Sequence, residues 1–143
     1  MARPITHHGM TLLELLVVVA IVSILAVFAI PLYWTYTARA QAVEAVELLG
    51  GAKTAVSDYI MEKGRLPSNA DFQQMGLTFS GTYTQNITSD GLNTLTATLK
   101  PVGSVVNSAI AGTSVKLVYT TTTKGWACMP GTIGPKYLSS ACR

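Results

Sequence analysis

Leu15–Ile30 reads LLVVVAIVSILAVFAI, and Glu14 stands immediately before it. From Leu12 to Trp34 Glu14 is the only charged residue, and Ser23 is almost the only polar interruption. About 20 apolar residues at about 1.5 Å rise each cross a bilayer's hydrocarbon core, so the segment predicts a membrane-spanning helix. A carboxylate near the bilayer centre costs about 2.5 kcal/mol or more, and less toward a helix end. Glu14 therefore needs a partner or a purpose.

The residues upstream suggest one. MARPITHHG is short and polar, carries Arg3, and ends in Gly9. A secretory signal is cut after its apolar region, at small residues, but here Ala26 and Ala29 lie within the run. The small residue precedes the run instead. Cleavage between Gly9 and Met10 would keep the helix and create an α-amine on Met10, one helical turn from Glu14. Ammonium and carboxylate about 4 Å apart attract by about 4 kcal/mol at an effective dielectric near 20. A first-turn carboxylate also suits the positive end of the helix dipole. The pair could form within one chain, or between Glu14 of one copy and Met10 of the next. The plain alternative is a single-pass anchor whose Glu14 reaches back to the interface.

The string G-M-T-L-L-E-L-L-V-V-V-A-I-V-S-I-L-A resembles the class III leader and N-terminal helix of type IV pilins. In that family a membrane peptidase cuts after the Gly and methylates the new terminal amine, and the Glu guides subunit docking. The resemblance implies a scissile Gly9–Met10 bond, N-methylation of Met10 and a docking role for Glu14. Met10 stands where the family usually has Phe, another apolar residue. As partners the resemblance implies further copies in a helical filament, a prepilin peptidase, an inner-membrane assembly platform and its ATPases. The chain would be a single-pass inner-membrane protein before assembly and part of an extracellular pilus, or fimbrium, afterwards.

Composition excludes most catalysis. Both histidines, His7 and His8, lie in the leader, so the processed chain has none. Ser-His-Asp and Cys-His catalysis need an imidazole base, and most catalytic zinc sites use histidine. Outside the apolar run the acids are Glu44, Glu47, Asp58, Glu62, Asp71 and Asp90. Glu44 with Glu47, and Asp58 with Glu62, are spaced as ordinary solvated helix faces. Phosphate-binding, dinucleotide-binding and calcium-loop motifs are absent from the sequence. The expectation is a non-enzyme with no cofactor and no metal site.

The rest of the chain reads as an α+β head. Pro31 removes a helix N–H and crowds the carbonyl of Val27, which predicts a kink or local melting between them. In pilins a proline there accompanies helix unwinding within the filament. Beyond it Ala42, Val43, Ala45, Val46, Leu49, Ala52, Val56, Tyr59 and Ile60 recur at helical spacing. Gly64 offers a C-cap, and Pro67 prevents continuation. One helix over 10–63 would be about 80 Å long if straight. Residues 64–91 read as a polar connecting loop, with a short helical turn in SNADFQQMG. Strand signals follow: LNTLTATL from Leu92, the alternation of Val115, Leu117 and Tyr119, and an element starting at Trp126 and Cys128. Three or four antiparallel strands packed on the helix is the economical arrangement.

The expected organisation is a cleaved leader over 1–9, an apolar transmembrane and filament-core helix over 10–36, and a head over 37–143. The head comprises an amphipathic helical half (37–63), the connecting loop (64–91), a sheet (92–129) and a C-terminal loop (128–142). Cys128 and Cys142 are too far apart for a redox C-x-x-C pair. In an exported domain they read as a structural disulfide, two unrelated thiols being the alternative. The loop MPGTIGPKYLSSA and the ending KYLSSACR resemble the disulfide-bounded C-terminal loop of pilins.

Charge is uneven. After Asp90 there is no acid, while Lys100, Lys116, Lys124, Lys136 and Arg143 give +5. Over Met10–Lys63, three cations oppose five acids, for a net −2. A basic face including Lys116, Lys124, Lys136 and Arg143 could meet acidic helices of neighbouring subunits, hold DNA phosphates along a filament, or simply be solvated. The leading expectation is a major type IV pilin serving adhesion, twitching motility or DNA uptake. The alternatives are a DNA-binding minor or competence pilin and a type II secretion pseudopilin. The last is disfavoured: major pseudopilins commonly bind calcium in a C-terminal loop, and this one holds no acid.

Overall fold

The computed structural model describes residues 10–143, in two compact units: one extending to Trp34, the other Thr35–Arg143. The leader, and Gly9 with it, lies outside the described residues. Helix α1 spans Leu12–Lys63 and continues through Pro31. Of the two expected consequences, kink or local melting, the melting between Val27 and Pro31 is not found in the single chain. A proline deletes one N–H of a long hydrogen-bonded ladder, and the flanking turns continue. At the other end Gly64 takes φ 72° and donates to Ile60 O at 2.8 Å, the predicted C-cap.

In the head, α1 is one-sided. Ala38, Ala42, Ala45, Leu49, Ala52 and Val56 are buried, at steps of four and three. Four of these six are alanines, whose short side chains let the helix lie close to the sheet. The larger Val43 turns outward, 46% exposed. Helical periodicity located the element, but the alanines mark its inner face.

The sheet is a four-stranded antiparallel meander, β1–β2–β3–β4. Strands β1 to β4 are Thr84–Ser89, Thr94–Leu99, Ser114–Thr120 and Gly125–Pro130. Leu95, Ala97, Leu99, Val115 and Leu117 face the core, as the alternation in β2 and β3 predicts. Opposite them the outward row Thr88, Thr96, Lys116 and Met129 crosses all four strands. Leu66, Phe72, Ile110, Ile133 and Leu138 join the core from the connecting segments.

The connecting segment is not a plain loop. It holds α2 (Asn69–Gln74), where the short helical turn was expected, and strand β1, which was not expected. TQNITS is nearly all polar, and a bulge lies between Thr84 and Asn86. Only Ile87 supplies an apolar inward side chain. Strand β2 starts at Thr94; Leu92, 79% exposed, belongs to the preceding turn.

The C-terminal loop closes as predicted. Cys128 on β4 is bonded to Cys142, with Cα atoms 4.6 Å apart. Between them are short 3-10 turns at Pro135–Tyr137 and Ser140–Cys142.

Candidate functional site

Glu14 occupies the first turn of α1. Its N–H donates to Thr11 Oγ1 at 3.2 Å, and Thr11 N–H donates to Glu14 Oε2 at 3.4 Å. This reciprocal cap follows from the T-x-x-E spacing, a signal the sequence reading passed over. The carboxylate thus serves two orphan backbone donors, yet its charge has no cationic partner among the described residues. Around it the apolar half is bare on every side. Leu13, Leu16, Val19, Ile24 and Phe28 are all exposed, and the helix is long and apolar enough to cross a membrane. Met10 is exposed just ahead of it.

Within the head, polar side chains on the flanks of α1 clip the helix to successive segments. Arg39 Nε donates to Lys136 O in the disulfide-bounded loop at 2.8 Å. The Gln41 amide accepts from Asn107 N–H at 2.7 Å and donates to Val105 O at 3.4 Å, fixing the β2–β3 connection. Ser57 Oγ accepts from Trp126 Nε1 on β4 at 3.0 Å.

Glu44 makes the strongest of these clips. Its carboxylate accepts the backbone N–H groups of Thr82, Tyr83 and Thr84 at 2.9, 2.8 and 2.8 Å. A Cβ on Gly81 would collide with this carboxylate and would have to displace it from its donors. Burial pushes the Glu44 carboxyl up, but the N–H groups of Tyr83 and Thr84 prevail and leave it below its ordinary value. Glu44 is therefore not the solvated-face acid that its spacing to Glu47 suggested. The three donors come from residues about forty positions away, which no local pattern reveals.

Asp90 repeats the device at the other end of β1. Its Oδ1 accepts from Leu92, Asn93 and Thr94 N–H at 2.9, 3.0 and 2.9 Å. Burial raises its carboxyl, and these donors, Thr94 first, bring it below the ordinary value. Asp71 caps α2 through Ser68 and pairs with Arg65 at 3.1 Å. The Ser68 hydroxyl and N–H lead in lowering the Asp71 carboxyl to about 2. All three acids are structural anchors.

The predicted cations are dispersed. Lys116 is at the centre of the outward sheet face, between Thr96 and Met129. Lys124 sits in the β3–β4 turn with φ 51°. Lys136 lies in the C-terminal loop beside Arg39, and Arg143 Nε donates to Leu138 O at 3.1 Å. On α1, Arg39 (beside Lys136) and Ser57 (beside Trp126) are about 27 Å apart at 1.5 Å per residue. These cations therefore do not form one compact patch on a single head.

The described residues contain no group of three or more His, Cys, Asp or Glu side chains placed to hold a metal ion. A helix with a capped acidic start and a bare apolar surface, ahead of a clipped and disulfide-closed head, defines a membrane-anchored structural subunit. A family profile described as Pilin (bacterial filament) matches residues 38–143, and the prokaryotic N-terminal methylation motif matches residues 6–30. The fimbrial protein EcpC of Eikenella corrodens is 37% identical over 140 residues, covering 94% of this chain and 90% of EcpC. A type IV major pilin protein PilE1 of Neisseria gonorrhoeae is 39% identical over 112 residues, covering 76% of this chain and 61% of PilE1. A fimbrial protein of Pseudomonas aeruginosa is 40% identical over 121 residues. The chain belongs to the pilin family, and that membership makes it a structural subunit rather than an enzyme.

Proposed function

We propose that this chain is the precursor of a major type IV pilin. It is cut at Gly9–Met10, methylated on Met10, held in the inner membrane, and polymerised with its own copies into an extracellular filament. The observation that carries this reading is the apolar half of α1, with a charged first turn and with its large apolar side chains exposed among the described residues. Lipid solvates such a helix before assembly; afterwards neighbouring copies do. Within lipid Glu14 without a countercharge is costly, and the Met10 amine of an adjacent copy would supply one. Pro31, inside the continuous helix of the single chain, is where the helix would yield during packing. A prepilin peptidase, an inner-membrane platform and ATPases complete the assembly, and adhesion, twitching motility or DNA uptake are the uses of the filament. The dispersed cations favour contacts between subunits, with the exposed Glu47, Asp58 and Glu62 of a neighbour as their counterparts.

Intact-mass spectrometry of protein sheared from the cell surface tests this reading. An abundant species beginning at N-methylated Met10, two hydrogens lighter at the cysteines, is expected. A chain still beginning at Met1 would contradict it.

A further inference from the structure

One groove of the head lies beside the Ser57–Trp126 contact and has no role in the reading above. It has a volume of about 520 Å³ and lies between the C-terminal part of α1 and the β3–β4 hairpin. Its lining includes Lys53, Ser57, Met61, Tyr119, Lys124 and Trp126, and no acid. The nearby helix acids Asp58 and Glu62 line a separate depression with Tyr59 and Met75. Neither Lys53 nor Lys124 forms an ion pair among the described residues.

The floor is organised. Tyr119 and Trp126 pack with ring centroids 5.1 Å apart. The Trp126 indole N–H is held by Ser57 Oγ at 3.0 Å, and Ser57 Oγ itself donates to Lys53 O at 2.8 Å. The rim shows strain. Lys124 is the only non-glycine residue at positive φ among the described residues, at 51°, and Gly125 follows it. A side chain disfavours that conformation, which glycine adopts freely. Lys124 thus stands at the groove in a conformation that glycine would adopt with less strain, and it brings an ammonium there.

We infer that this groove binds an acidic saccharide, the carboxylate meeting Lys53 and Lys124 and the sugar ring lying on the Trp126–Tyr119 floor. The combination is that of a ligand pocket: an apolar aromatic body with a few polar groups to fix orientation. Nucleic acid fits less well. It needs a track of cations for successive phosphates, and here Lys116 is on the opposite face of the sheet while Lys136 lies toward the far end of the head. The charge is local, enough for one anionic group. The site belongs to the head itself and does not depend on filament assembly.

The test is calorimetric titration of the full-length chain in zwitterionic detergent with 3′-sialyllactose and with trigalacturonate. Lactose and a 15-nucleotide oligothymidylate serve as comparisons. Binding of at least one acidic sugar is expected, with lactose at least about tenfold weaker. Lys124→Gly should melt at the same or a higher temperature while weakening the acidic sugar about tenfold, because the turn relaxes as the cation is lost. Lys53→Gln should weaken it similarly without altering the fold. The inference is overturned if neither acidic sugar binds, if lactose binds as well, if the oligothymidylate binds tighter, or if Lys124→Gly binds unchanged.

Discussion

The two halves of helix α1 solve opposite problems with similar residues. Up to Trp34 the helix is apolar on all sides and its large side chains are exposed among the described residues. From Thr35 on it is apolar on one side, and Ala38, Ala42, Ala45, Leu49, Ala52 and Val56 disappear into the head. The second half finds its partner within its own chain. The first must find it outside, in lipid or in other copies. The difference lies in how apolar residues are distributed around the helix.

The largest effect that separates the halves is a matched pair of truncations. Leu49→Ala should destabilise the head by about 2–5 kcal/mol, because the side chain is almost fully buried in the core. Leu25→Ala, at an exposed position, should leave head unfolding unchanged. Urea unfolding of both full-length variants in detergent, followed by Trp fluorescence, measures the contrast. A similar loss from Leu25→Ala would break the comparison.

Replacing Cys128 and Cys142 together by Ser should cost about 3 kcal/mol in the chain-entropy account, for a sequence separation of 14. Reducing the wild-type chain should lower the same urea midpoint by a similar amount, while helical circular dichroism from the apolar half persists.

Smaller, and more local, is Glu44→Gln. With the amide oxygen in the Oε1 place it keeps two hydrogen bonds in neutral form, from Tyr83 and Thr84, and sets its NH₂ against the third donor, Thr82 N–H. A loss of about 1–2 kcal/mol is expected, moderated by solvent access to the carboxylate. Amide exchange at Thr82, Tyr83 and Thr84 should accelerate, and the rest of the sheet should change less.

The smallest effect is the pH dependence. Glu44 and Asp90 are held below their ordinary values, so the unfolded chain binds these protons more readily than the folded one. Their contribution is present above the ordinary carboxylate range near pH 4 and is lost as pH falls through the lower folded values. Stability measured from pH 6 downward should decline there, and Glu44→Gln should flatten the decline. Equal slopes in both proteins would show that the clip carries no charge.

Elements with a strong period were legible in the sequence. The head half of α1, β2 and β3 announce themselves because one face of each is buried, and Gly64 marks the helix end by its need for positive φ. β1 was hidden because TQNITS takes its place through backbone pairing and two carboxylate anchors, Glu44 before it and Asp90 after it. The disulfide could be read from residue type and position. The role of Glu44 could not, since its donors lie far along the chain. The cations misled for a related reason. Lys124 and Lys136 are near in sequence, but the β3–β4 turn and the C-terminal loop carry them toward opposite ends of the head.

On the proposed function, other copies of the chain complete the apolar half of α1, with Glu14 at its head. Glu14→Ala in the full-length protein tests it most directly, by quantifying membrane-inserted chain and sheared filament from the same cells. Undiminished insertion and an unchanged head are expected, with filament reduced to a trace. Filament at the wild-type yield would contradict it.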